Sequence, residues 1–152
     1  MKADKKRKLC YSGFVLAFFL IAGFLPGCSE EEPQEQPEEP VMPGVHYLSS
    51  EEANTLIQEN TDNSDFVILD VRAASSYEEG HIQGAININV NLSTFRDRVS
   101  ELDRDRTYLV YCLMGVTSRT AIETMLELGF KNIYYLENGL NEWTEAGLPV
   151  VQ

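Results

Sequence analysis

Cys112 is the residue from which chemistry is most directly read. It follows the apolar run Thr107-Tyr108-Leu109-Val110-Tyr111 and precedes Leu113-Met114-Gly115-Val116-Thr117-Ser118, a short stretch that opens a helix. Gly115 can adopt backbone angles that other residues resist. A tight turn at a helix N-terminus points several N–H groups inward and forms an anion-binding nest. A thiol held there ionises below its ordinary value of about 8.5, and the thiolate is the nucleophile. The hydroxyls of Thr117 and Ser118 add donors to the same loop. The competing reading is a buried, inert cysteine that behaves as a small hydrophobe. A glycine-containing loop between strand and helix favours the reactive one.

Asp70 and Arg72 stand at the end of a second apolar run, Asp65-Phe66-Val67-Ile68-Leu69-Asp70. In open parallel sheets chemistry sits beyond the carboxyl ends of the strands. Both residues are assigned a supporting role, orienting the loop or the neighbouring strand. Arg119, the first cation after the loop, is assigned a supporting role as well.

The elements that must position these groups alternate in type. Ser49 and Glu52 stand at capping-box spacing, and Ala53, Leu56 and Ile57 then share one helical face. The run at 65–70 is continuous and apolar, as in a parallel strand buried on both sides. A short helix is expected over Ala73–Glu79, closed by Gly80, then a strand over Ala85–Ile88. Ser93–Leu102 reads as a helix with Phe95, Val99 and Leu102 inward. After a third strand at Thr107–Tyr111, Thr120 and Glu123 form another capping-box spacing. The helix behind them turns Ala121, Ile122, Met125 and Leu128 inward and stops at Gly129, a natural C′ residue. Asn132–Leu136 is a last strand, and Leu140–Ala146 a closing helix that puts Trp143 in the core. This alternation implies an α/β domain with a mainly parallel central sheet flanked by helices.

Over residues 45–151 the domain resembles the rhodanese-like (sulfurtransferase) family. Four stretches in the family's order carry the resemblance: Leu69-Asp70-Val71-Arg72; Gly80-His81-Ile82 with Gly84-Ala85; Tyr111-Cys112 with Gly115 and Ser118; and Gly139-Leu140 with Trp143 and Ala146-Gly147-Leu148-Pro149-Val150. The resemblance implies that Cys112 attacks a sulfane-sulfur donor as the thiolate and becomes a persulfide. A thiol, cyanide or a protein cysteine then removes the outer sulfur. The loop amides would stabilise the anion. No metal or organic cofactor is implied, and the partner could be a redox or sulfur-carrier protein. In the resembled motif His81 is a structural hydrogen-bonding group near a turn rather than a base.

This chain departs from the family pattern in places. Leu113, Met114 and Thr117 stand where many loops carry Arg or Lys, so a dianionic donor such as thiosulfate should bind less well and a less charged donor better. Ser76 stands where the family has Glu, which removes a partner of Arg72. Asn138 replaces the first glycine of a Gly-Gly pair, and Asn accepts left-handed angles. A cysteine phosphatase or arsenate reductase would need Arg six places after the cysteine, where this chain has Ser118. A disulfide oxidoreductase would need a resolving cysteine. A non-enzymatic binding or sulfur-relay module at the membrane surface is the alternative to catalysis.

The rest of the chain reads as an address. With 152 residues and a formal charge of −12 there is room for one ordinary domain, and the acidic balance argues against nucleic acid. Residues 2–8 carry five positive charges and one negative, and Leu9–Leu25 has no ionisable group beyond Cys10 and Tyr11. That is the pattern of a secretory signal, assigned to residues 1–27. Leu25-Pro26-Gly27-Cys28 resembles the lipobox of bacterial lipoproteins, which implies lipidation of Cys28. An uncleaved membrane helix over Leu9–Gly27 is the competing reading. Residues 28–44 are the lipidated cysteine and a linker, whose residues 29–40 hold six acids and three prolines and cannot bury enough surface to fold. Residues 45–152 are the domain. The expected location is extracytoplasmic, on a lipid anchor on the periplasmic side, with Ser29 pointing to the outer membrane.

Overall fold

The computed structural model describes residues 41–152. The leader, Cys28 and the linker up to Pro40 lie outside the described residues. Among the described residues, no helix is long and apolar enough to cross a membrane.

Strands and helices alternate: β1 (Val45–Leu48), α1 (Ser50–Glu59), β2 (Phe66–Asp70), α2 (Ala74–Glu79), β3 (Ile86–Asn87), α3 (Phe95–Ser100), β4 (Thr107–Tyr111), α4 (Val116–Glu127), β5 (Asn132–Leu136) and α5 (Gly139–Glu145). The five strands form one sheet in the order β1-β5-β4-β2-β3, and every pair is parallel. Parallel neighbours cannot be joined by a hairpin, so each connection must cross over a face of the sheet. Beta4 lies at the centre, between β2 and β5.

Side chains alternate across each strand, and this splits the core in two. Leu69 of β2 and Val71 just after it, Tyr108 and Val110 of β4 and Cys112 just past it, and Ile133 and Tyr135 on β5 pack with Phe95 and Val99 of α3 and Ala121, Ile122 and Met125 of α4. On the other face Ile68, Leu109, Tyr111 and Leu136 pack with Ala53 of α1 and Leu140 and Trp143 of α5. Trp143 is 2% exposed, and its indole N–H donates to the Pro149 carbonyl at 2.9 Å. Cys112 thus continues the alternation of β4 one residue past the strand and turns toward the α3–α4 face.

Several expectations need correction. Beta1 was not anticipated: its four residues alternate between buried Val45, exposed His46 and half-buried Tyr47, with no apolar run to mark it. Met42 packs into the core ahead of it, and its N–H donates to the Tyr47 hydroxyl at 2.7 Å. Ser49 and Glu52 do form a capping box on α1. Thr120 and Glu123 do not: α4 begins at Val116, with Gly115 in the N-cap position, so Thr120 is inside the helix. Leu102 lies beyond the end of α3 and packs against the core from the following turn. The strand expected over 85–88 is shortened to Ile86–Asn87. At the other end of α4, Gly129 has φ +90°, and Phe130 N–H reaches back to the Met125 carbonyl at 3.1 Å, a left-handed C-terminal cap.

Candidate active site

The end of β4 delivers Cys112 to a turn of three residues before α4. Gly115 closes that turn with φ +81°, a conformation costly for a side chain. Space demands glycine as well: a Cβ would collide with the Glu137 carbonyl oxygen and lie 2.7 Å from the Tyr135 hydroxyl. Because α4 starts at Val116, the Ser118 N–H falls among the first-turn amides that have no intrahelical partner.

Those donors converge on the sulfur. Ser118 Oγ lies 3.3 Å from Cys112 Sγ. Burial alone would push the Cys112 thiol up; hydrogen bonds from the Ser118 and Thr117 hydroxyls and the Ser118 and Met114 backbone N–H groups outweigh it and hold the thiol below its ordinary value. Cys112 is 2% exposed, while Leu113, Met114 and Val116 are 46%, 60% and 67% exposed. The loop therefore turns its amides inward and its apolar side chains outward, and the sulfur sits beneath an uncharged rim.

A second helix fixes the loop from behind. The first amides of α5 donate to the loop carbonyls, Leu140 N–H to Cys112 at 2.9 Å and Asn141 N–H to Leu113 at 3.0 Å. Gly139 permits this approach: its φ is +63°, and a Cβ would lie 2.5 Å from the Cys112 carbonyl oxygen. Asn138 has φ −98°, so it does not use the left-handed angles expected of it; Gly139 alone does. The Gly139-Leu140 pair was noted in the sequence without this role. Tyr135 was missed. It shares strand parity with Ile133 on the face that holds Cys112, and that parity was the available signal.

Asp70 and Arg72 make a pair on the other face. Asp70 is fully buried, and both its oxygens accept from Arg72, whose Nη2 also donates to the Gly80 carbonyl at 2.6 Å. Burial opposes the Arg72 charge, but Asp70 outweighs it and raises the guanidinium. With Ser at position 76, Arg72 is held by the Asp70 carboxylate and the Gly80 carbonyl. The guanidinium also lies 5.9 Å from the Tyr111 ring centroid. Burial, then Asp70, hold the Tyr111 hydroxyl well above the ordinary phenol range, and it accepts from the Ile82 N–H at 3.1 Å. This cluster ties the end of β2 to the 80–82 turn and to the strand that carries Cys112. His81 stacks on Tyr77 at 3.7 Å and bridges to Val151 through its backbone, which anchors the C-terminal end. Arg119 lies half-buried in the first turn of α4, where its charge acts on Tyr135.

Residues 51–146 match the family model described as Rhodanese-like domain. The chain is 37% identical over 106 residues to a thiosulfate sulfurtransferase, GlpE, of Shewanella oneidensis, a match covering 69% of this chain and 98% of that relative. It is 35% identical over 114 residues to a tRNA uridine(34) hydroxylase of Photorhabdus laumondii, covering 68% of this chain but 31% of that protein. A rhodanese-related protein from Thermoplasma volcanium superposes with a TM-score of 0.57 and 31% identity, over 70% of this chain and 97% of that one. With its parallel sheet, its cysteine loop and these matches, the chain belongs to the rhodanese-like family of sulfurtransferases.

Proposed function

We propose that this chain transfers sulfane sulfur through a persulfide on Cys112. The Cys112 thiolate attacks the outer sulfur of a donor, the donor's own S–S bond breaks, and the leaving group departs with the electron pair. The anion then sits on the outer sulfur of the persulfide, where the first-turn amides of α4 face it. A thiophilic acceptor, a thiol or cyanide, takes that sulfur and returns Cys112 to the thiolate. No net oxidant or reductant is consumed. The convergence of hydroxyl and amide donors on one buried sulfur carries this reading. The uncharged rim favours donors of low charge, such as low-molecular-weight persulfides, over thiosulfate.

The test is intact-mass analysis of the full chain after exposure to a panel of sulfane donors. A gain of one sulfur, about 32 Da, is expected and should be lost on Cys112→Ser. A folded chain that gains no sulfur from any donor would refute the proposal. In the same reading the reaction takes place outside the cytoplasm on a lipid tether at Cys28, supported by the Leu25–Cys28 sequence and the acidic spacer after it. Cys28→Ala should then release the chain from membrane fractions.

A further inference from the structure

Behind the sulfur, acceptors outnumber protons. Ser118 Oγ carries one proton and has three acceptors in reach: Cys112 Sγ at 3.3 Å, the Gly115 carbonyl oxygen at 2.7 Å and the Tyr135 hydroxyl oxygen. The Tyr135 hydroxyl carries one proton too, and reaches the same Gly115 carbonyl at 2.8 Å and the Glu137 carbonyl at 3.1 Å. Two hydroxyls therefore share one carbonyl, whose two lone pairs accept both, and each donor weakens the oxygen's pull on the other. Ser118 is fully buried and Tyr135 is 2% exposed, so bulk water has little access to these hydroxyls.

We propose that Tyr135 is a positioning residue for Cys112: by donating to the Gly115 carbonyl, it weakens that oxygen's pull on the Ser118 proton and favours donation to the sulfur. This rests on Cys112 being the nucleophile. Without the Tyr135 proton, the carbonyl at 2.7 Å is the better acceptor for Ser118, since that distance is close to ideal for O–H···O. The thiolate then loses a donor in a buried site, where each hydrogen bond to a charged group counts most. Other observations agree. Glycine at 115 leaves the space that the Tyr135 hydroxyl occupies. The Tyr135 ring is held edge-on to Tyr47 at 5.2 Å, and it packs in the same cluster as Cys112. Burial holds the phenol above its ordinary range; Arg119 and Ser118 pull it down, and Cys112 and Glu137 add to the rise. The hydroxyl thus keeps its proton where the thiol ionises. The remaining neighbours on this face, from β2 and α3, are Leu69, Val71, Phe95 and Val99, none of which titrates.

The test follows alkylation of Cys112 in the full chain by a small neutral haloacetamide across pH, read at the Cys112 peptide by mass. Tyr135→Phe keeps the ring and removes the donor. It should slow alkylation at neutral pH by about threefold to tenfold, the loss of part of a hydrogen bond to a charged group, and move the profile to higher pH with the alkaline plateau kept. In a Ser118→Ala background the same Tyr135→Phe change should do nothing further, because the proton it governs is gone. A Tyr135→Phe profile that superimposes on the unsubstituted one, or an equal shift in both backgrounds, would overturn the proposal. Should Tyr135→Phe unfold the chain, a fluorinated tyrosine at 135 strengthens the same donor. It should move the profile to lower pH, and an unmoved profile there overturns the proposal equally. These profiles report thiol ionisation alone, so a chain that takes up no sulfur still decides the role of Tyr135.

Discussion

At the scale of the residue, an excess of donors over burial holds the Cys112 thiol below its ordinary value. Desolvation opposes a charged sulfur, and the Ser118 and Thr117 hydroxyls with two backbone amides more than offset it. The sign for activity follows. The reactive form is the thiolate, so sulfur uptake should be full above the depressed thiol value and fall as pH drops through it. That midpoint should lie below that of an unstructured thiol in the same assay. The same linkage acts on stability: a thiol whose folded value is depressed stabilises the fold above the unfolded value, and that contribution is lost as pH falls through the folded one. Urea unfolding from neutral to alkaline pH should show this slope in the unsubstituted chain and a flatter one in Cys112→Ser.

The elements make the loop possible by close approach. Helix α5 brings its amides against the carbonyls of Cys112 and Leu113 only because residue 139 has no side chain. Gly139→Ala meets both a left-handed backbone and a Cβ at 2.5 Å from the Cys112 oxygen, so it should cost stability and slow sulfur uptake together. Gly84→Ala is the matched comparison: φ is +82°, but nothing lies within 4 Å of the added Cβ. It should cost only the backbone penalty, about 1–2 kcal/mol, with sulfur uptake unchanged. Chemical denaturation beside an uptake assay separates the two. The Asp70–Arg72 pair sets a different limit. With side chains 0% and 9% exposed, Asp70→Asn leaves a buried guanidinium without its carboxylate and should cost about 3–5 kcal/mol in chemical denaturation.

For the whole molecule, charge decides what reaches the sulfur. Residues 41–152 carry 17 acidic and seven basic residues, a net −10, and the loop rim adds no cation. An anionic donor approaches a like-charged surface, and salt screens that repulsion over about 10 Å at 0.1 M. Sulfur uptake from thiosulfate should therefore speed up with added salt, while uptake from a neutral donor should not. Stopped-flow rates across ionic strength would check this. Leu113→Arg should remove much of the salt dependence by placing a cation on the rim.

Much of this was legible from residue order alone. The parallel α/β class followed from apolar runs spaced by helical patterns, because burial on both faces leaves strands such as 66–70 almost wholly apolar. Cys112 was visible because a strand, a glycine turn and a helix start were contiguous. What stayed hidden depends on residues distant in sequence. Beta1 has no apolar run, and its strand conformation is imposed by pairing with β5. The start of α4 is set by a left-handed Gly115 wedged against Glu137, which outcompeted the local capping signal at Thr120. Asp70 and Arg72 were placed at the right strand end, but strand alternation turns Asp70 to the face opposite Cys112. Tyr135 meets the loop only after the chain has crossed the sheet. Local pattern determines most of the elements and marks the candidate nucleophile. The donors to that atom come from its own loop, Met114, Thr117 and Ser118. The contacts that hold the loop in place, from Tyr135 and the first amides of α5, join segments some 20–30 residues apart, and only the tertiary structure brings them within hydrogen-bond reach.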